Sequence, residues 1–177
     1  YLGGGAKNNR IGTNANGVGD VEERNVISGN LNNGISLKES GTTSNFISGN
    51  YIGTNAAGLA AVGNGGRGIE LSSSAGFNRI GTNGDNVNDA SERNVISGNG
   101  DHGIMLSGSA ATGVIIAGNL IGLGADGATQ VANGVCGILI NSSANANRIG
   151  TDGNGVGDLA ERNIISGNNW QGIELNG

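Results

Sequence analysis

The heptapeptide RNVISGN occupies residues 24–30, recurs letter for letter at residues 93–99, and returns as RNIISGN at residues 162–168. The interval is 69 residues each time, and it governs more than this phrase. Arg10, Arg79 and Arg148 keep it, as do Asn30, Asn99 and Asn168, and Gly34, Gly103 and Gly172. A shorter beat lies inside it. GISL begins at 34, GIEL at 68, GIML at 103, GILI at 137 and GIEL at 172, so the spacing runs 34, 35, 34, 35. Periods of this size mark solenoids, whose units bury their apolar faces only against their neighbours.

Each unit holds three short apolar stretches, too brief for helices and separated by Gly, Asn and Ser, and these read as strands. The first is GIxL. The second carries Ile11, Ile47, Ile80, Ile116 and Ile149, and the third carries Ile27, Ile52, Ile96, Ile121 and Ile165. The expected fold is therefore all-β: a right-handed, single-stranded parallel β-helix of about five coils, each of 34–35 residues, arranged in a 69-residue two-coil super-repeat. Inward Ile, Leu and Val form its core, each burial contributing roughly 1.5–3 kcal/mol. The two coil types differ in where a loop is inserted: after the second stretch in one, after the third in the other. Loops at the corners of such coils are where function is sought.

Asparagines stand two positions before each third-stretch Ile, at Asn25, Asn50, Asn94, Asn119 and Asn163. A second series, Asn9, Asn45, Asn78 and Asn147, stands two before the second-stretch Ile, with Val114 as its exception. Residues two apart on a strand face the same way, so both series point inward. Stacked about 4.8 Å apart, identical amides satisfy one another, and the expectation is two asparagine ladders.

With these repeats in view, the chain resembles the right-handed parallel β-helix repeat of the pectate-lyase-like solenoid superfamily, and in particular the NVISGN and GIxL repeats of large bacterial surface or secreted proteins. The resemblance covers essentially all 177 residues. It implies the fold. For function it implies little, because the same solenoid serves lyases, tailspikes, adhesins and passive stalks. By the 69-residue register Tyr1 and Leu2 fall where Glu70 and Leu71 stand, so residues 1–177 are expected to be one β-helix domain cut from a longer array.

Composition excludes several partners. Nine basic residues against fourteen acidic ones, a net charge of -5, leave no basic patch for nucleic acid. No apolar run approaches the roughly 18 residues of a membrane span, so no insertion into a membrane is expected. Cys136 is the single cysteine and reads as a small buried hydrophobe.

Candidate chemistry is sparse. The outward residues of the GIxL stretches are Ser36, Glu70, Met105, Leu139 and Glu174. The two carboxylates are three coils apart, on the order of 14 Å, beyond the roughly 5–9.5 Å of a glycosidase pair, and both read as solvated. His102, beside Asp101, reads as a surface turn residue. Arg10, Arg79 and Arg148 form an outward row that is expected to pair with loop carboxylates. The best candidates are the loops after the second stretch, at residues 13–24, 82–93 and 151–162. Oxygen side chains recur there at matching positions: Asn14, Asn16, Asp20 and Glu23; Asn83, Asp85, Asp89 and Glu92; Asp152, Asn154, Asp158 and Glu161. Calcium takes six to eight such oxygens in a Gly-permitted turn, so these twelve residues are candidate calcium ligands. The competing reading is a set of Asx turns with Glu paired to Arg24, Arg93 or Arg162.

The expected function is non-catalytic and no cofactor is required: a stalk, spacer or display scaffold of a secreted or cell-surface bacterial protein. Its partners are other repeats of the array, neighbouring copies, or a glycan or cell-surface ligand held by the loops. The alternative is a carbohydrate-active module, a polysaccharide lyase, hydrolase or glycan binder, for which Trp170, Tyr51 and Phe46 form no evident platform. A minor alternative is ice binding through Thr13, Thr54, Thr82 and Thr151.

Overall fold

The computed structural model describes all of residues 1–177 and contains fifteen strands and no helix, so no helix is long and apolar enough to cross a membrane. The strands fall into three five-stranded sheets, every pairing parallel. The GIxL stretches are β3 (Ile35–Leu37), β6 (Ile69–Leu71), β9 (Ile104–Ser107), β12 (Ile138–Asn141) and β15 (Ile173–Leu175), stacked in that order. The second stretches are β1 (Arg10–Gly12), β4 (Phe46–Ser48), β7 (Arg79–Gly81), β10 (Ile115–Ala117) and β13 (Arg148–Ile149). The third are β2 (Val26–Ile27), β5 (Tyr51–Ile52), β8 (Val95–Ile96), β11 (Leu120–Ile121) and β14 (Ile164–Ile165). One strand from each sheet makes one coil, and the whole is a parallel β-solenoid of about five coils.

The register pairs like with like. Ile35, Ile69, Ile104, Ile138 and Ile173 align, and so do Ile11, Ile47, Ile80, Ile116 and Ile149. A strand displaced by one residue would turn this whole set outward, so the alternation excludes such a slip. The inward side chains merge into one continuous apolar core in which Ile47, Ile52, Ile69, Ile80, Ile96 and Ile104 are fully buried. A smaller apolar stripe lies outside the third sheet, where Tyr51, Val95 and Leu120 are covered by loop residues including Ala125.

Three asparagine ladders run along the corners. In the first, Asn25 Nδ2 donates to Asn50 Oδ1 (2.9 Å), Asn50 to Asn94 (3.2 Å), Asn94 to Asn119 (2.9 Å) and Asn119 to Asn163 (3.0 Å). Several of these Oδ1 atoms also accept the backbone N–H of the preceding asparagine, as Asn94 does from Asn50 (3.0 Å) and Asn163 does from Asn119 (2.9 Å). The second ladder joins Asn9, Asn45 and Asn78 (2.9 and 3.0 Å) and stops at Val114, whose backbone N–H still reaches Asn147 Oδ1 (2.9 Å). The third was not foreseen from sequence. Asn30, Asn64, Asn99, Asn133 and Asn168 bond in sequence at 2.7, 2.8, 3.0 and 2.8 Å.

The loops sit where the sequence places them. Coils one, three and five carry them between the second and third strands. In coils two and four those strands are joined by two residues alone, Gly49 and Asn50 or Gly118 and Asn119, and the loop follows the third strand. Each of these later loops closes on an isolated antiparallel bridge, Thr54 with Ala61 and Leu123 with Gln130. The glycine that ends β7 has no room for a side chain. Gly81 has φ +100°, and a Cβ there would lie 1.8 Å from the Ala117 carbonyl oxygen of the next coil.

Replacing Asn94 by Ala removes the acceptor for Asn50 and the donor to Asn119 and to the Ile47 carbonyl. Loss of about 1–3 kcal/mol is expected, read as a lower denaturant midpoint. The same change at Asn25, exposed on the first coil, costs measurably less.

Candidate functional site

The three loops after the second strand repeat one hydrogen-bond pattern. In the first, the backbone N–H of Asn14 donates to Glu23 Oε2 (2.7 Å), Asn16 to Asn14 Oδ1 (2.9 Å), Gly17 to Asp20 Oδ2 (3.0 Å) and Val18 to Asn16 Oδ1 (2.9 Å). In the second, Asn83 donates to Glu92 Oε2 (2.7 Å), Asp85 to Asn83 Oδ1 (2.9 Å), Asn86 to Asp89 Oδ2 (3.2 Å) and Val87 to Asp85 Oδ1 (2.8 Å). The third follows with Asp152 to Glu161 Oε2 (3.0 Å), Asn154 to Asp152 Oδ1 (3.1 Å), Gly155 to Asp158 Oδ2 (3.1 Å) and Val156 to Asn154 Oδ1 (2.6 Å). Every one of the twelve candidate side chains thus accepts a backbone N–H of its own loop. Loop amides have no ladder partner, and short oxygen side chains two or three residues away supply one.

The threonine that opens each loop belongs to the same network. Thr13, Thr82 and Thr151 donate their hydroxyls to Asp20 (3.2 Å), Asp89 (2.9 Å) and Asp158 (2.6 Å). Thr13, Thr54 and Thr82 are fully buried, so these hydroxyls form no row facing solvent.

The loops differ in how their carboxylates gather. Only Asp152, Asp158 and Glu161 bring ligand oxygens all within 4.8 Å of one another. That cluster already holds a cation, since Arg148 Nη1 lies 3.1 Å from Glu161 Oε1 and 3.9 Å from Asp152 Oδ2. The expected pairing of the outward arginines with loop acids is met at Arg148 alone. Arg79 Nη1 instead donates to the Thr82 carbonyl (3.0 Å).

Arg24, Arg93 and Arg162 do not pair with the loop glutamates, contrary to the Asx-turn expectation. Arg24 Nε donates to the Gly49 carbonyl of the next coil (3.2 Å) and its guanidinium lies over the Tyr51 ring, while Arg93 Nε donates to Gly118 (2.9 Å). On the last coil Arg162 turns back to Leu159 (3.3 Å). The rest of the heptapeptide is equally spoken for. Its first asparagine is in one ladder, its valine in the outer stripe, its isoleucine in the core, and its last asparagine in another ladder. Its serine donates to a carbonyl one coil on, Ser28 to Thr54 (2.6 Å) and Ser97 to Leu123 (2.8 Å).

Outside the first sheet two expectations need correction. Glu70 is not solvated: it is buried beside Lys38 Nζ (2.9 Å) and Asn33 Nδ2 (2.7 Å), with Arg67 Nη1 at 3.7 Å. His102 is not a surface residue but is buried between Asp101 (3.3 Å) and the Cys136 backbone N–H, which donates to its Nδ1 (3.3 Å). Burial lowers its pKa, against the pull of Asp101. Cys136 is buried as expected, yet its thiol donates to Glu174 Oε2 (2.9 Å). Burial first, and that bond second, push its pKa up to about 11, which favours the protonated thiol. These groups form a chain of contacts that runs across coils.

Comparison with the models of known protein families finds no match, and neither do the comparisons with curated proteins and with solved structures.

One loop carboxylate, Glu92, holds its proton more tightly than usual. Burial raises its pKa, its hydrogen bonds from the Asn83 N–H and Thr82 hydroxyl oppose the rise, and Asp89 and Asp85 add to it. A carboxylate whose folded pKa exceeds its unfolded one contributes stability that is full below the unfolded value and lost as pH rises through the folded value. Thermal midpoints measured from the ordinary carboxylate range upward are expected to fall through that window, and Glu92→Gln is expected to flatten this component of the fall.

Proposed function

We propose that the chain is a non-catalytic structural module, a spacer or display scaffold built on a β-helix of the pectate-lyase-like kind, within a secreted or surface-attached bacterial protein. The observation that carries this reading is the fate of the repeated polar side chains. Most of the Asn, Ser, Thr, Asp, Glu and Arg side chains at the repeated positions satisfy backbone groups of their own or a neighbouring coil, with Arg10 among the exceptions. Residues repeated for that purpose extend a solenoid by equal steps, which is what a spacer needs. Proteins whose work is chemistry on this kind of scaffold need an acid and a base near each other, and Glu70 and Glu174 stand three strands apart in one sheet.

A chain with residues 34–102 duplicated in register tests it. The lengthened protein is expected to fold as a monomer, to be more stable than the parent, and to be longer by roughly 10 Å, two strand spacings. It is also expected to release no new ends from polygalacturonate or alginate. Failure of the duplicate to fold, or turnover abolished by Glu70→Gln, would sink the proposal.

Calcium is a second reading, favoured at one loop by the convergence of Asp152, Asp158 and Glu161. The donors suit a hard cation in kind, but an ion there would have to displace Arg148 from Glu161. On this reading the thermal midpoint rises with calcium relative to chelator, through binding to the folded state. The rise is expected to vanish in Asp158→Asn and to persist in Asp20→Asn; no rise, or one indifferent to Asp158, removes calcium from the account.

A further inference from the structure

The alternation of loop positions leaves a gap. Coil two has no loop after its second strand, while coils one and three do, and the tips of those two loops meet where Asn88 Nδ2 donates to the Ala15 carbonyl (3.5 Å). Beneath them is a cleft of about 610 Å³, within the range of small-ligand sites. Its floor is β4, with Phe46 at 42% exposure and Ser48, and its walls include Arg10, Asn14, Asn83 and Glu92.

Two features separate this cleft from the architecture around it. The first is unspent bonding capacity. Arg10 is exposed, and its guanidinium takes part in none of the ion pairs or side-chain hydrogen bonds that engage Arg79 and Arg148. Glu92 receives both of its hydrogen bonds at Oε2, from Asn83 (2.7 Å) and Thr82 (2.8 Å), and none at Oε1. The second is departure from the repeat. The corresponding gap over coil four has Phe77 where the first has Asn8, Ile115 for Phe46, Ala117 for Ser48 and Asp152 for Asn83. There the glutamate equivalent to Glu92, Glu161, is neutralised by Arg148. Positions that only propagate the coil are alike in both gaps; those that differ make the first gap polar with an aromatic floor.

We infer that this cleft is a binding site for a neutral sugar residue, with Phe46 against the apolar face of the ring and Arg10, Asn14, Asn83 and Glu92 taking its hydroxyls. Planar guanidinium, amide and carboxylate groups present paired donors and acceptors at the spacing of neighbouring hydroxyls. An aromatic face suits the C–H side of a pyranose, and its 42% exposure leaves it free to be covered. One cation and one anion on the walls cancel, which disfavours a strongly charged ligand. The inference is independent of the spacer reading, since a scaffold carries such a site or lacks it without change to its coils.

Saturation-transfer NMR with the intact chain tests it, using maltotetraose, cellotetraose, β-1,4-galactotetraose and N-acetylchitotetraose, with trigalacturonate as the acidic counterpart. At least one neutral oligosaccharide is expected to bind at millimolar concentration or below. Arg10→Ala and Phe46→Ala are each expected to weaken that binding at least roughly tenfold, and Ile115→Ala in the second gap to leave it unchanged. Both cleft side chains are exposed, so the variants are expected to keep the parent thermal midpoint, which is measured alongside. No binding of any neutral probe, preference for trigalacturonate, or binding that survives both cleft variants overturns the inference.

Discussion

A coil that turns three times must bury its corners, and a buried corner exposes backbone groups with no strand partner. The asparagine ladders answer that constraint. Each interior amide donates to the next amide and to a carbonyl of a preceding coil, and several also accept the backbone N–H of the asparagine before them. Asn94 shows all three, with Asn119, Ile47 and Asn50. Leaving such a group unpaired costs more than pairing it gains. The ladder therefore selects one register among those the apolar core would tolerate. The break at Val114 fits the same logic. Its side chain has no polar group to satisfy, it joins the buried core, and its N–H keeps its bond to Asn147.

Coupling between coils explains why so many polar residues that resemble ligands are not free to act as ligands. Arg24 and Arg93 reach carbonyls of the following coil, Ser28 and Ser97 do the same, and the loop carboxylates hold their own turns. The repeat is selected for what each residue does for its neighbours 25 to 47 positions away, as the ladder bonds show. A pattern of oxygen side chains in a Gly-rich loop is common to calcium sites and to Asx turns because both need short acceptors close to the backbone.

How much could be read from sequence depended on whether the relevant spacing was constant. The three strands, the core and two ladders stand at fixed offsets from an inward isoleucine, so they were legible. The third ladder was not, although all five of its asparagines are in plain view. Counted from the third-strand isoleucine, Asn30 and Asn99 lie three residues on, but Asn64 and Asn133 lie twelve on, because the second type of loop intervenes. Counted back from the glycine of GIxL, all five lie four residues away. The burial of Glu70 and His102 was hidden for a different reason. It depends on Lys38 and Asn33 from the coil before Glu70 and on the Cys136 backbone N–H from the coil after His102, and no local pattern announces which of these will meet.

In a repeat protein, then, identity between units and departure from identity carry different information. Residues kept in every unit are constrained by stacking, and here their hydrogen bonds account for them almost completely. A residue that departs from its counterpart is released from that constraint, and most departures simply substitute one outward side chain for another. The departures over coil two have a further property: they cluster around a cavity and adjoin polar groups whose bonding is incomplete, Arg10 and the free oxygen of Glu92. Over coil four the matching positions hold Phe77, Ile115 and Ala117, and the matching carboxylate is neutralised. The scaffold builds both gaps by the same alternation of loops, so that alternation alone does not dictate the chemistry that separates them.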